Sequence, residues 1–317
     1  MKAGILLPQV GEYATRENVL FVAKEAEKEG LDSVWVLERL LWPLKPQTPY
    51  AGTPDGSLPA EYQIVLDPLE TLTYLAGNTE RISLGTCIID MLFHNPVELA
   101  RRFATLDVLS RGRVIAGLGI GWSKDEYDVS DVPFNHRGAR ADEYLQVLKR
   151  IWTDDAVEFK GKFYNIPSSK IGPKPVQKPH PPILLGGFSP NTFTRIVKYA
   201  DGWIPIAGLG PLEQLEQTIN GLREAARKAN NRDPSKIRVF VLTYPNVQQK
   251  SPQSSSSPGQ QQQRLPMSGT IDQIGSDIER IKAMGAEHIM FGYIFSPIGR
   301  DMKRMVEVTK QLARFAK

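Results

Sequence analysis

The sequence predicts a (β/α)8 barrel, also called a TIM barrel, with insertions in the loops that follow the strands. Short apolar runs alternate with amphipathic segments from one end of the chain to the other, a pattern typical of a parallel sheet. Eight such strand–helix units within 317 residues fit one closed barrel domain over residues 1–317. A doubly wound open sheet is the structural alternative.

Apolar runs bounded by turn residues mark the strands. The predicted strands are 3–7, 33–37, 82–89, 114–119, 182–187, 201–206, 236–244 and 287–293, with a small hairpin at 157–166. The predicted helices carry apolar stripes, and three have clear starts at Thr15, at Asn95-Pro96 and at Ser189-Pro190. The others are predicted at 68–77, at 137–153, along 212–222 and 271–281, and at the carboxyl end.

Residues 245–266 interrupt this alternation with PNVQQKSPQSSSSPGQQQQRLP. A segment of this composition cannot bury a core, so it is predicted to be a loop between the seventh strand and its helix. An inert insertion is the simpler interpretation. A lid is the alternative, because loops at this end of a barrel lie over the active site.

The charge and cysteine content of the sequence argue against nucleic-acid, membrane and metal-binding functions. The net charge of +4 is too small to indicate nucleic-acid binding, and no apolar run is long enough to span a membrane. Cys87 is the single cysteine, so neither an intrachain disulfide nor a cysteine-based zinc site is expected. No HExxH-like spacing occurs, and no metal is expected. The first residues are interpreted as a strand rather than a signal peptide, which suggests a cytoplasmic protein.

The run RVIAGLGIGWSKDE places Gly117, Gly119 and Gly121 at the end of the fourth strand. A dinucleotide-binding fingerprint belongs in the first strand–helix turn and opens directly into a helix. Here the glycines lie in the fourth unit, and a polar loop of more than ten residues is expected before the next helix. Two interpretations stay open: a flat ligand lying against bare backbone, or tight packing within the barrel.

A second glycine pair suggests an anion site. In Gly186-Gly187-Phe188-Ser189-Pro190 a strand ends, two glycines expose the backbone, and a helix begins. Free N–H groups at a helix start attract phosphate, and late barrel loops often bind it. The alternative is an ordinary loop with a serine cap.

The ordered motifs HNPVELA, TLDVLSRGR, GLGIGW, LLGG and DGW resemble the bacterial luciferase-like flavin and deazaflavin oxidoreductase family. The resemblance extends over nearly the whole chain except 245–266, and is strongest to the branch that depends on coenzyme F420. It implies a barrel with the cofactor ring in its mouth, F420 as cofactor with FMN as the alternative, and a homodimer by analogy.

The resemblance also implies site residues. The turn Thr86-Cys87-Ile88 matches one that carries a non-prolyl cis peptide behind the ring, so the Cys87–Ile88 bond is predicted to be cis. From Trp122 to Glu126 the chain is expected to approach the ring and its side chain, with Asp125 as the main polar contact. The cofactor phosphate is expected at Gly186, Gly187, Phe188 and Ser189.

One departure concerns the end of the second strand, where deazaflavin-dependent relatives often carry Asp-His and this chain has Glu38-Arg39. Arginine does not act as an acid or base near neutral pH, but it can stabilise developing negative charge. The alternative is a structural ion pair at the barrel rim. Trp122 replaces an acid used by sugar-phosphate dehydrogenases, which favours an apolar or aromatic substrate. Glu38, Arg39 and Trp122 are therefore the predicted catalytic residues.

The four histidines differ in how strongly their positions indicate a role in the active site. His94 precedes the Asn95-Pro96 helix start on the active-site side, so a site role and a packing role are both open. His136 is expected to be exposed, His180 to be structural between prolines, and His288 to lie at the opposite end of the barrel.

Three functions are compatible with these patterns. The favoured one is hydride transfer between reduced F420 and a small organic substrate. The second is an FMN-dependent monooxygenase, and the third is a non-catalytic flavin or deazaflavin carrier.

Overall fold

Eight parallel strands close into a barrel at the centre of the computed structural model, which describes residues 1–229, 232–248 and 264–317. The described strands are β1 (Lys2–Leu6), β2 (Ser33–Val36), β3 (Ser83–Thr86), β4 (Ile89–Asp90), β5 (Val114–Gly119), β6 (Val157–Lys160), β7 (Asn165–Ser169), β8 (Ile183–Gly186), β9 (Gly202–Ile204), β10 (Ile206–Ala207), β11 (Arg238–Thr243), β12 (Asn246–Val247), β13 (Ser268–Gly269) and β14 (His288–Phe291). The ring runs β1–β2–β3–β5–β8–β9–β11–β14 and returns to β1. The predicted barrel is thus confirmed, and the open sheet is excluded.

Helices surround this ring. The described helices are α1 (Arg16–Lys28), α2 (Pro68–Ala76), α3 (Pro96–Leu109), α4 (Lys124–Val129), α5 (Arg137–Thr153), α6 (Pro190–Tyr199), α7 (Leu212–Lys228), α8 (Ile271–Ala283) and α9 (Met302–Ala313). The predicted N-caps at Thr15, Asn95 and Ser189 each accept a backbone N–H of the first turn. Among the described helices, none combines the length and apolarity that a membrane crossing requires.

Three predictions of local structure were wrong. The strand predicted at 201–206 is divided at Pro205 into β9 and β10, because proline has no backbone N–H for the sheet. The strand predicted at 82–89 is divided into β3 and β4, because the chain bends at Cys87–Ile88. The loop predicted after Gly121 contains α4, which begins after the Ser123 cap. The mostly polar sequence 122–136 shows no helical pattern, because a helix of six residues has too few turns for an apolar stripe to show.

The barrel has two apolar layers. Side chains from alternate positions of the strands fill the interior, among them Trp35, Ile115, Phe240 and Met290. A larger layer lies between the strands and the helices. The interior is therefore packed, and within the described part of the barrel itself a ligand has room only at the ends of the strands.

The insertion predicted at 245–266 falls largely on residues 249–263, which lie outside the described residues. At its base the chain is ordered by a short parallel pairing of Asn246 with Ser268 and of Val247 with Gly269. This pairing joins the two ends of the insertion beside the carboxyl end of β11.

Candidate active site

Glu38 is buried at the end of β2 and binds the bend in the third strand. Its backbone N–H donates to the Ile88 carbonyl at 3.2 Å, and its Oε2 accepts the Asp90 N–H at 2.8 Å. Its Oε1 lies 2.8 Å from Nε2 of His94. Burial opposes protonation of His94, but the hydrogen bond and charge of Glu38 outweigh it and raise the pKa of the imidazole. His94 is thus a partner of Glu38 rather than only a packing residue.

Arg39 forms a different ion pair. Its Nη1 lies 2.8 Å from Oε2 of Glu126, and both side chains are almost fully buried. Oε1 of Glu126 accepts the Leu40 N–H at 2.9 Å, and burial raises the pKa of this carboxyl despite the nearby guanidinium. Glu38 and Arg39 therefore each form an ion pair at the rim, with partners far along the chain and not with each other.

Asp90 lies at the barrel mouth beside Glu38 and was not predicted as a site residue. Its Oδ1 accepts the Gly121 N–H at 2.8 Å, and 7% of its surface is exposed. Burial, together with the charges of Glu38 and Glu126, raises the pKa of Asp90 to about 7. The available signal was its position: it is an acid directly at the carboxyl end of a barrel strand, where catalytic groups concentrate.

The bond between Cys87 and Ile88 is cis, as the resemblance implied. The fully buried side chain of Thr86 connects β3 to β5 next to this bend. Its hydroxyl donates to the Gly117 carbonyl at 2.7 Å and accepts the Gly117 N–H at 2.9 Å. Burial raises the pKa of the Cys87 thiol to about 12, so it is not a thiolate at neutral pH.

Packing explains the glycines of β5. A Cβ on Gly117 would overlap the Thr86 carbonyl oxygen, and one on Gly119 would overlap Ile88. A Cβ on Gly186 would stand 3.3 Å from the same Ile88 side chain. Ile88 therefore lies between the ends of β5 and β8, and it brings the cis turn next to the predicted anion loop.

The anion loop keeps its glycine backbone and its serine cap. Gly187 has φ +111°, a conformation that other residues rarely adopt, and its carbonyl accepts the Trp203 indole N–H at 2.8 Å. Ser189 caps α6 by accepting the Thr192 N–H, and Phe188 is 53% exposed. A helix start of this kind has N–H groups without helical acceptors, which is compatible with an anion.

Asp125, predicted to contact the cofactor, also forms a hydrogen bond within the chain. Its carboxylate accepts the Gln47 N–H at 3.0 Å, while Asp128 accepts the Gln47 side-chain amide at 2.8 Å. Helix α4 thus fastens the long segment that follows β2, and this segment lies over the barrel end.

Aromatic side chains form one side of the mouth. This aromatic wall consists of Tyr50, Tyr62, Trp122, Tyr244 and Phe295, whose neighbouring ring centroids are 5.4 to 6.1 Å apart. The Arg39 guanidinium lies 4.7 Å from the Trp122 ring centroid. An arginine stacked on tryptophan beside apolar rings suits an apolar or aromatic ligand with one polar group.

A cavity of about 300 Å³ opens on the same face of the barrel, between the loops that follow β1 and β14. Its lining includes Val10, Glu61, Ile294 and Phe295 but none of the residues predicted to bind the cofactor. Phe295 also belongs to the aromatic wall, so this cavity adjoins the wall.

Comparison with known proteins gives a family match. The model of the luciferase-like monooxygenase family matches residues 1–253. An uncharacterised protein of Mycobacterium tuberculosis is 39% identical over 184 residues, 57% of this chain, and the match spans 65% of that relative, just under two thirds. The F420-dependent glucose-6-phosphate dehydrogenase of Amycolatopsis mediterranei is 29% identical over 246 residues, covering 76% of this chain and 68% of the relative.

A solved structure has the same fold. An F420-dependent secondary alcohol dehydrogenase in complex with an F420-acetone adduct superposes with a TM-score of 0.78 at 22% identity, covering 100% of this chain and 99% of the other. At this identity the likeness shows the fold alone.

Proposed function

Because this chain belongs to the luciferase-like monooxygenase family, we propose that it is an oxidoreductase that transfers a hydride between coenzyme F420 and an apolar or aromatic organic substrate. The observation that carries the proposal is the convergence at one barrel end of the cis turn, the bare backbone of Gly186 and the aromatic wall. The F420-dependent relatives named above support the choice of cofactor.

The residues present fit a flat, anionic cofactor. Gly186 and Gly187 present backbone without side chains, and the start of α6 offers N–H groups to a phosphate. Cys87 and Ile88 would back the ring from the β3 side. When bound, F420 supplies a two-electron carrier that gives or takes a hydride.

The other side chains prepare the mouth for a substrate. Arg39 is assigned the stabilisation of negative charge that develops on the substrate or the ring, because its guanidinium is fixed by Glu126 and faces Trp122. Trp122 stands where the family resemblance implies an acid in sugar-phosphate dehydrogenases, which argues against a sugar phosphate as the substrate. The aromatic wall keeps water away from the reacting atoms.

A flavin-mononucleotide monooxygenase is the second candidate, since the matching family is named for luciferase-like monooxygenases. The same glycine loop would hold its phosphate. The two candidates differ in cofactor, and this makes them separable by binding alone.

The test is a fluorescence titration of the purified chain with F420 and, separately, with FMN. We expect F420 binding at micromolar concentrations and much weaker FMN binding.

Gly186→Val should weaken F420 binding at least tenfold, because its side chain would enter the space against Ile88. Gly221→Ala, on α7 with open space around it, is the matched control and should bind F420 normally. Tight FMN binding without F420 binding would favour the monooxygenase, and binding of neither would refute both.

A further inference from the structure

Asp90 is a buried carboxyl group at the barrel mouth that none of the roles above uses. In β5, Ile115 belongs to the barrel interior, and its alternate neighbours Gly117 and Gly119 face the same way. A Cβ on Gly119 would stand 2.7 Å from Oδ1 of Asp90. The Asp90 carboxyl therefore lies on the interior side of the barrel mouth, beside Ile88 and next to the predicted ring site.

The charges around Asp90 do not balance if every carboxyl is ionised. Three carboxyl groups meet there, those of Glu38, Asp90 and Glu126, against two cationic groups, Arg39 and His94. Arg39 is paired with Glu126 and His94 with Glu38. Within the described residues Asp90 has no ion-pair partner, so it is the member of the group that holds or releases a proton most readily.

The hydrogen bonds of Asp90 leave room for that proton. Oδ1 receives the Gly121 N–H, and no described residue donates a hydrogen bond to Oδ2. Glu38 binds the backbone N–H of Asp90 rather than its carboxyl, so Glu38 fixes the strand end and acts on the carboxyl only through its charge. The phenol of Tyr127 is the further titratable group that faces Asp90.

We infer that Asp90 is the residue that exchanges a proton with the substrate oxygen, that Glu38 and His94 are positioning residues for it, and that the substrate is an apolar alcohol or the corresponding carbonyl compound. The inference rests on the proposed function. Removal of a hydride from a carbinol carbon requires a base for the hydroxyl proton, and a carboxyl that titrates near neutral pH serves in both directions.

The chemistry balances with the cofactor as the hydride partner. In the oxidising direction the O–H bond breaks and its proton passes to the Asp90 carboxylate. With F420 held at Gly186 and Gly187, the C–H bond would give its hydride to the oxidised cofactor, and the electron pair of the broken O–H bond would form the carbonyl double bond. In the reducing direction the carbonyl carbon receives the hydride, and protonated Asp90 delivers its proton to the oxygen.

The first experiment needs no cofactor. Carbon-13 NMR of protein labelled at the aspartate carboxyl carbons should show one carboxyl that titrates near pH 7. This signal should be absent in Asp90→Asn and should titrate at lower pH in Glu38→Gln, which removes a neighbouring negative charge. Asp155→Asn, at an exposed position, is the matched control and should retain the signal. If no aspartate titrates above pH 5, the inference is overturned.

The second experiment separates the inference from the proposed function. Asp90→Asn should bind F420 as wild type does but lose about 10²- to 10⁴-fold in kcat on a panel of apolar alcohols and ketones. In Glu38→Gln the midpoint of the pH–rate profile should move with the NMR midpoint, which a merely structural role would not produce. Full turnover in Asp90→Asn would overturn the proton role while leaving F420 function intact. F420 binding without turnover of any alcohol or ketone would overturn the substrate class, and absence of F420 binding would refute the proposed function itself.

Discussion

Ion pairs among distant residues decide what each charged side chain at the barrel mouth does. Glu38 and Arg39 are adjacent in sequence, yet Glu38 pairs with His94 and Arg39 with Glu126. The sequence marks both as site residues by their position after the second strand. It does not disclose their partners, because 56 and 87 residues separate the members of the two pairs. Asp90 was missed for the same reason, since its raised pKa arises from burial in the folded barrel and from the charges of Glu38 and Glu126.

At the opposite end of the barrel, His288 is a buried neutral histidine with a consequence for stability. Its Nε2 lies 2.6 Å from the Ser33 hydroxyl, and its ring stacks on Phe240. Burial, with a smaller contribution from the positive charge of Lys2, lowers the pKa of His288 to about 3. The sequence predicts that His288 lies away from catalysis, and its position at the start of β14 agrees with this.

We predict that His288 makes the protein acid-sensitive. Above about pH 6.5 the imidazole is neutral in both the folded and the unfolded state and has no effect on the pH dependence of stability. Below that pH only the unfolded state takes up the His288 proton, so this residue alone lowers the free energy of unfolding by about 1.4 kcal/mol per pH unit until the folded pKa near 3. Asp90, whose folded pKa is raised to about 7, contributes with the opposite sign, so the contribution of His288 is measured as a difference between variants. Urea unfolding at pH 7, 6 and 5 measures this slope. Compared with wild type at each pH, His288→Gln should gain about 1.4 kcal/mol in relative stability for each pH unit below 6.5, and exposed His136→Gln should not differ from wild type. Equal slopes in all three proteins would contradict the prediction.

At the scale of the elements, the third strand shows what sequence patterns can and cannot give. Its apolar run predicts a strand over 82–89, and the family resemblance adds the cis bond at Cys87–Ile88, which the structure confirms. The bend then places Ile89 and Asp90 in a separate short pairing with β5. Helix α4 was missed because six residues are too few for an apolar stripe to show, and the polar contacts that hold it lie on the distant segment after β2. The helix caps were predictable, since cap and first turn are neighbours in sequence.

The pairing of β3 with β5 requires glycine at position 117. We predict that Gly117→Ala destabilises the protein by about 1–3 kcal/mol or prevents its folding, because the new methyl group would overlap the Thr86 carbonyl oxygen. Gly221→Ala is the matched control within α7, where nothing lies within 4 Å, and it should stabilise the protein by up to about 1 kcal/mol. Thermal unfolding of the two variants compares them. A Gly117→Ala protein as stable as wild type would show that the close approach of the strands is not required.

For the whole molecule, the barrel was the most predictable property. Eight repeats of strand and helix leave few arrangements that bury every apolar stripe, and closure of the ring by β9 and β11 satisfies the edges of the sheet. Closure also brings loops from all parts of the chain to one end. The mouth therefore combines residues that no local pattern could group, such as Asp90, Trp122 and Gly186.

A crystal structure with F420 bound tests the location of the reaction most directly. We expect the ring against Cys87 and Ile88, its phosphate at Gly187 and Ser189, and its open face toward Trp122, with the Asp90 carboxyl within hydrogen-bonding distance of a bound alcohol. A ring in the cavity between the loops after β1 and β14, or anywhere outside the barrel mouth, would contradict this assignment.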